Sequence, residues 1–560
     1  MASGATCLGL HIGHDRGITL TQGSEITFHT AVERLDRKKH SDSADIPAAE
    51  IRCVLDRLDI PPRLLDAVCI TYHSVEASRI ARTLEADFKA AFPEFGGRFF
   101  ALDHHLAHAL AALACSSFDE ALVLVADGAG DIRLWGTQSE SLFHVSRQHF
   151  YLVEERLQDR PLPFARRPEF YLPDFFAASD QKRQISLGLK YEQITYLCGF
   201  GPNQAGQTMA LASFGEPLFD LEALLPRNFG FSLRYVDLLD RMDDIAHRKN
   251  MTLRQFAQTE RAHIAATAQH FLERAMTNLV DYTAETYNPR AMCFAGGVFL
   301  NCPTNRSITS RLADREVFFL PASHDEGQSI GAAAYAHWQI TGTLPGVIAD
   351  FPYLGFAPSD DECAAAFRSA GLSFEHHHDD ASLARRLAGL LAEGAICGIA
   401  RGRSETGPRA LGHRSILADP RPLSSKQKLD QGIKRRAEFR PYAPMVHAAR
   451  ADVYFEAEPQ SPYMLLTSRV RPEYREQLRA VTHVDNSARA QLVDPQRSPF
   501  LAQLLLCFEE LSGVAALLNT SFNDEREPIV DSAADALRTY LTTDLDALVL
   551  GNNLHLKRGS

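Results

Sequence analysis

Short apolar runs separated by polar turns open the chain. Thr6–Ile12, Ile18–Thr21 and Glu25–Ala31 flank a turn at His14–Gly17, a pattern that predicts a β-hairpin or meander over residues 5–35. Ala48–Leu58 and Ser78–Phe92 place their apolar residues at helical spacing. Leu122–Ala126 and Ala291–Ala295 are continuous apolar runs that end at glycine-bearing turns and read as buried strands. Leu253–Tyr287 and Ile330–Gln339 read as helices. Further strands are expected near Ala395–Ile399, Tyr463–Val470, Val514–Leu518 and Ala547–Leu550. Buried strands alternating with helices indicate an α/β architecture. The turn-rich stretch 341–360 then separates a first domain, 1–345, from a second, 346–560. No internal repeat or low-complexity tract is visible.

Composition narrows the class. The 560 residues are 45% hydrophobic and 23% charged, as expected of a globular protein of two or three domains. A net charge of −12 argues against a surface drawn to nucleic acid. The ten cysteines include no CxxC pair, which disfavours a zinc ribbon or thioredoxin-like centre and fits a reducing cytoplasm. Residues 1–15 lack the basic segment of a signal peptide, and no apolar run reaches membrane-spanning length. The expectation is a cytoplasmic enzyme, monomeric or homodimeric, with no membrane or nucleic-acid partner.

Candidate chemistry sits at the turns. His104 and His108 are four residues apart on a predicted helix, so both imidazoles project from one face, while His105 points elsewhere. Two ligands do not complete a site. Asp127, at a strand end, and Asp325, just before a helix, supply hard oxygens, and the mixed set suits Fe, Mn, Zn or Mg. Asp127-Gly128-Ala129-Gly130 and Gly296-Gly297-Val298-Phe299-Leu300-Asn301 are turns whose amides could approach a phosphate. Together they outline the split nucleotide loops of an actin-like ATPase core, with Leu253–Tyr287 packed beside it. His376–His378 lies in a polar loop and reads as surface. Residues 401–440 hold eleven Lys or Arg against four acids, interleaved with apolar and turn residues, as a phosphate pocket requires. Asn519-Thr520-Ser521-Phe522-Asn523 adds small polar groups after a strand.

These residues resemble the NodU/CmcH family of O-carbamoyltransferases over nearly the whole chain. The markers are His14-Asp15, Glu33-Arg34, Arg37-Lys38-Lys39-His40, His104 to His108, Asp127-Gly128, Ala295 to Asn301, Gly407 to Gly412, Leu518 to Asn523 and Glu527-Pro528-Ile529-Val530. The resemblance implies an N-terminal sugar-kinase/actin-type domain like the threonylcarbamoyl-modifying metalloproteins, and a C-terminal YrdC-like α/β domain. It implies ATP and a divalent metal, Fe(II) foremost, as cofactors. Carbamoyl phosphate would be hydrolysed to carbamate, activated as carbamoyl-adenylate and transferred to a hydroxyl of a small natural product, as in antibiotic biosynthesis. The metal ligands fall on His104, His108, Asp127 and Asp325. Nucleotide contacts fall on Gly128, Gly130, Gln207, Gly296, Gly297 and Asn301. Carbamoyl phosphate contacts fall on Arg409, Lys434, Arg440, Arg489, Asn519 and Ser521. The catalytic set is His14, Lys39, Lys434 and Arg409, with His14 as general base. Two positions depart from the family pattern: Gln207 stands where a lysine is usual, and Arg526 where a glycine precedes Glu-Pro-Ile-Val. The rival readings are a threonylcarbamoyl-type tRNA-modifying enzyme and a non-catalytic metal- or nucleotide-binding regulator.

Overall fold

The structure is a computed structural model and describes residues 4–72, 77–133, 136–158, 186–229, 235–456 and 461–557. Part of the helical stretch Ser78–Phe92 is described for its backbone alone. The opening residues form the expected meander. Thr6–Ile12, Gly17–Gln22 and Glu25–Ala31 pair antiparallel, and Ala67–Tyr72 and Arg98–Leu102 then add in parallel beyond the first strand. Gly346–Val347 extends the other edge.

A second sheet repeats this plan. Glu120–Ala126, Gly136–Ser146 and Phe150–Gln158 form an antiparallel meander, and Ala291–Ala295 and Glu316–Phe319 add in parallel beyond Glu120–Ala126. The sequence shows no repeat, yet one topology occurs twice. This duplication is the actin-like architecture. Helices His104–Cys115 and Gln328–Thr341 pack together between the sheets, and their alanine-rich faces are fully buried. Small side chains let the two backbones approach while the charged ends stay at the strand termini.

The C-terminal α/β domain is built on an eight-stranded mixed sheet running from Glu375–His376 to Gln491–Val493, with Cys397–Ala400, Arg414–Ala418 and Ala516–Ser521 at its centre. Helices Asp380–Ala392 and Pro499–Ser512 share one apolar core against it, and Ala533–Thr542 packs in another.

Two expected elements differ. Leu253–Tyr287 is two helices, Leu253–Thr259 and Arg261–Tyr287, broken at Glu260; a capping box at Thr252 and Gln255 starts the first. Tyr463–Val470 is not a strand apart from Ser468–Arg469. Leu465 and Leu466 instead bury in the N-terminal core beside Phe299, and Asn305 donates to Leu465 O at 2.9 Å. An apolar run satisfies its burial there without ladder pairing. No helix among the described residues is long and apolar enough to cross a membrane.

Candidate active site

Asp103 starts the first central helix by accepting from the Leu106 amide, which fixes His104 and His108 one turn apart on its buried face. His104 Nε2 lies 3.1 Å from Asp127 Oδ2 and 3.5 Å from Asp325 Oδ1. His108 Nε2 lies 3.5 and 3.3 Å from the same two atoms. The four donor atoms all fall within 4.8 Å of one another. Ligands at about 2.1 Å around a tetrahedral ion stand about 3.4 Å apart, so these separations suit a shared divalent cation better than four short hydrogen bonds. His105 is turned away and bonds Ser141 Oγ at 2.7 Å; burial and its charged histidine neighbours push it down to about 3.

Gln328 packs against the same histidine: its Nε2 sits 3.0 Å from His104 Nε2 and 3.2 Å from Nδ1, and its Oε1 is buried without a hydrogen-bond partner. Burial opposes charge on His108, but the two carboxylates lift it to about 9. Asp127 and Asp325 are held well below the usual range despite burial, because histidines surround them.

His14 is half-exposed, at 48%, on the turn of the first meander. Its Nε2 lies 3.0 Å from Asp325 Oδ2 and its Nδ1 3.1 Å from Asp15 Oδ2. Burial opposes its charge, but Asp325 and Asp15 raise it well above the ordinary histidine value. These carboxylates favour the imidazolium form. Asp15 also faces His40 at 3.1 Å and His324 at 3.5 Å. The sequence places Asp15 and His40 only among the family markers, with no role at the site, and does not single out Gln328 or His324. Histidines on three separate turns were the available signal.

The glycine turns serve the cluster in distinct ways. Gly297 N–H donates to Asp127 Oδ1 at 3.2 Å, fixing that carboxylate. Gly296 has φ 101°, and a Cβ there would lie 2.3 Å from Ala126 O, so only glycine lets the two strand ends meet. Gly128 O accepts from Ser186 Oγ. The Gly130 amide is taken by Gln138 O at 2.9 Å, which removes it from the expected phosphate donors. Asn301 caps the helix Cys302–Arg311 and exchanges hydrogen bonds with Gln269, so its side chain orders the turn and is not aimed at a nucleotide. Gln207 is half-buried on the helix Ala205–Ala212.

The basic segment divides. Arg401, Arg421, Lys426 and Arg436 pair with Asp380, Asp419 or Asp430, and Arg403 and Arg414 bind backbone carbonyls. Six of the eleven cations are therefore structural. Lys434, at the end of the π-helical turn Leu429–Lys434, donates to the backbone oxygens of Ser521 and Asn523 and to Asn523 Oδ1 at 2.9 Å. Burial first, and then neighbouring guanidinium groups including Arg489, disfavour the charge on Arg409 and Arg440. Arg409 Nη2 also reaches Leu300 O, at 3.5 Å, on the Gly296–Asn301 turn of the other domain. Asn519 ties the Arg409 loop to the central sheet through Ala410 O, and its Oδ1 is buried without a partner. Lys39 donates to Glu525 O at 2.7 Å, beside Lys434 and away from the His104, His108, Asp127 and Asp325 cluster. Arg526 is exposed in a turn ordered by Asp524 and needs no left-handed backbone, so the replaced glycine costs nothing there.

Family models for the carbamoyltransferase N-terminus and C-terminus match residues 94–334 and 388–557. Nodulation protein NolNO of Sinorhizobium fredii is 33% identical over 97% of this chain and 79% of its own length. The chain belongs to the carbamoyltransferase family. It is an enzyme that transfers a carbamoyl group. The 3'-hydroxymethylcephem-O-carbamoyltransferase of Amycolatopsis lactamdurans is 30% identical over 62% of this chain and 64% of its own. Among solved structures, full-length HypF in its phosphate- and nucleotide-bound form overlaps 60% of this carbamoyltransferase and 47% of that chain, with TM-score 0.43 and 14% identity.

Proposed function

We propose that this carbamoyltransferase uses carbamoyl phosphate and ATP to carbamoylate a hydroxyl of a small natural product. The observation that carries the reading is Arg409: it belongs to the cationic cluster yet touches Leu300 O, on the turn whose Gly297 amide holds Asp127. The anion-binding end and the four-donor end therefore face each other across the domain boundary. Arg409, Lys434, Arg440 and Arg489, with Ser521 and Asn519, would hold carbamoyl phosphate and release phosphate and carbamate. Carbamate moving past Arg409 would meet ATP in the actin-like domain, giving carbamoyl-adenylate and pyrophosphate.

His104, His108, Asp127 and Asp325 would hold a divalent cation, with iron(II) favoured among the metals this set suits. Bound there, it supplies Lewis-acid charge beside the phosphates. His14 would take the proton from the acceptor hydroxyl. For that it must first give up its own, and Asp15 behind Nδ1 orients the ring for the exchange. The test is incubation with carbamoyl phosphate, with and without ATP. The reading expects pyrophosphate release that depends on both. Transfer of carbamoyl to an acceptor without ATP would overturn it.

A further inference from the structure

The loop that carries Arg409 has a support outside the residues assigned to metal, nucleotide or carbamoyl phosphate. Glu405 is buried, and its Oε1 accepts three backbone amides: Leu411 and His413 at 2.8 Å and Arg414 at 3.0 Å. One carboxylate oxygen thus closes the loop 406–410 on both sides of Arg409. The other oxygen, Oε2, is buried without a hydrogen bond and faces Arg34 Nη1 of the N-terminal domain at 4.0 Å; that nitrogen also lacks a hydrogen-bond partner. Arg34 Nη2 donates to Gly407 O at 2.9 Å, on the same loop.

The far side of the loop meets the metal-cluster end. Gly407 has φ 92°, and a Cβ there would lie 2.6 Å from Pro321 O, so loop backbone rests on the backbone of residues 321–322. That segment leads directly into His324 and Asp325. Arg34 follows the first meander, so it ties the meander that carries His14 to the loop that carries Arg409, and that loop rests at Gly407 on the segment leading to Asp325.

We infer that Arg34 and Glu405 are positioning residues that seat the Arg409 loop on the Asp325 turn, setting how well the cationic cluster grips its anion. Neither touches the anion. Arg34 acts through Gly407 O and Glu405, and Glu405 through the three amides. Buried charge-assisted contacts of this kind hold geometry because leaving either partner alone in the interior is costly. The inference rests on the carbamoyl phosphate reading, which names the anion.

Inorganic phosphate binding to the full chain as purified, followed by calorimetry, reads the site without turnover. Arg34→Ala should raise the phosphate Kd at least tenfold while metal content stays at the parent level, and Arg34→Lys should recover part of the loss. In an Arg409→Ala background the same change should add less than twofold, because positioning acts through Arg409; a general loss of folding would add in full. Parental phosphate affinity in a folded Arg34→Ala chain overturns the inference. Should Arg34→Ala not fold, Glu405→Gln keeps an acceptor for the three amides and removes the charge facing Arg34. At least threefold weaker binding is then expected, and unchanged binding overturns the inference. A parent that binds phosphate yet releases none from carbamoyl phosphate sinks the carbamoyl phosphate reading alone. A parent that binds no phosphate sinks both.

Discussion

The four-donor end and the cationic end treat buried charge in opposite ways. At the first, each carboxylate faces imidazoles at 3.0–3.5 Å, so protons already balance Asp127 and Asp325. At the second, Arg409 and Lys434 donate to neutral oxygens, Glu525 and Glu527 act only from a distance, and no ion pair to Arg409, Lys434, Arg440 or Arg489 is found among the described residues. On the proposed reading the first would be an exchange site, where a cation displaces protons from histidine. The second is an incomplete site, where uncancelled charge draws an anion. A divalent cation and a phosphate are the ligands such a pair of ends would take.

Loss of the exchange site should have the largest effect. His104→Ala with His108→Ala should abolish metal in elemental analysis and lower transfer by three to four powers of ten, the rate equivalent of about 5 kcal/mol. Full metal content in that variant would break the comparison. His14→Asn comes next. It should consume carbamoyl phosphate at the parent rate, yet transfer to any acceptor the parent uses should fall roughly a hundred- to thousandfold. Equal transfer would remove His14 from proton handling. Lys434→Ala should act on the other end alone. Losing one charge-assisted contact costs about 1.5–3 kcal/mol, so the KM for carbamoyl phosphate should rise roughly ten- to hundredfold, with ATP binding and metal content retained. Parental phosphate release in that variant would show that the cationic end binds something else.

Much of this was legible in the residues. Continuous apolar runs gave the strands at Thr6–Ile12, Ala291–Ala295 and Ala547–Leu550, because burial on both faces leaves no other composition. The histidine pair was legible because four-residue spacing on a helix is a local fact. The topological duplication was not, since two meanders can share strand order while sharing no residues. Tyr463–Leu466 carries as apolar a pattern as a strand, and only its packing beside Phe299 and Asn305 decides otherwise. Charge counting over 401–440 also overstated the anion site, because Asp380, Asp419 and Asp430 neutralise cations it had included. Arg34 and Glu405 are 371 positions apart, and no local spacing announces such a pair.

The subtlest contrast between the two ends is their response to alkali. Lys434 is buried, and burial is the largest influence on it; Arg436, Lys39 and Arg440 add repulsion, so its ammonium is held well below the ordinary lysine range. Four oxygens from Ser521 and Asn523 oppose this, since a neutral amine would turn its lone pair toward one of them. The net result is an ammonium that gives up its proton earlier than a free lysine, whose ordinary value is about 10.4. The sign follows: anion binding that needs the charge is present below the depressed value and lost as pH rises through it. The KM for carbamoyl phosphate should therefore climb several-fold in a range where an exposed lysine is still charged, while ATP affinity holds steady. Lys434→Arg separates this cause from general alkaline loss, because a guanidinium keeps its charge throughout. That variant should start from a higher KM, its fork fitting the four oxygens poorly, but should show a flat profile. A profile that climbs equally in both proteins would place the titrating group elsewhere.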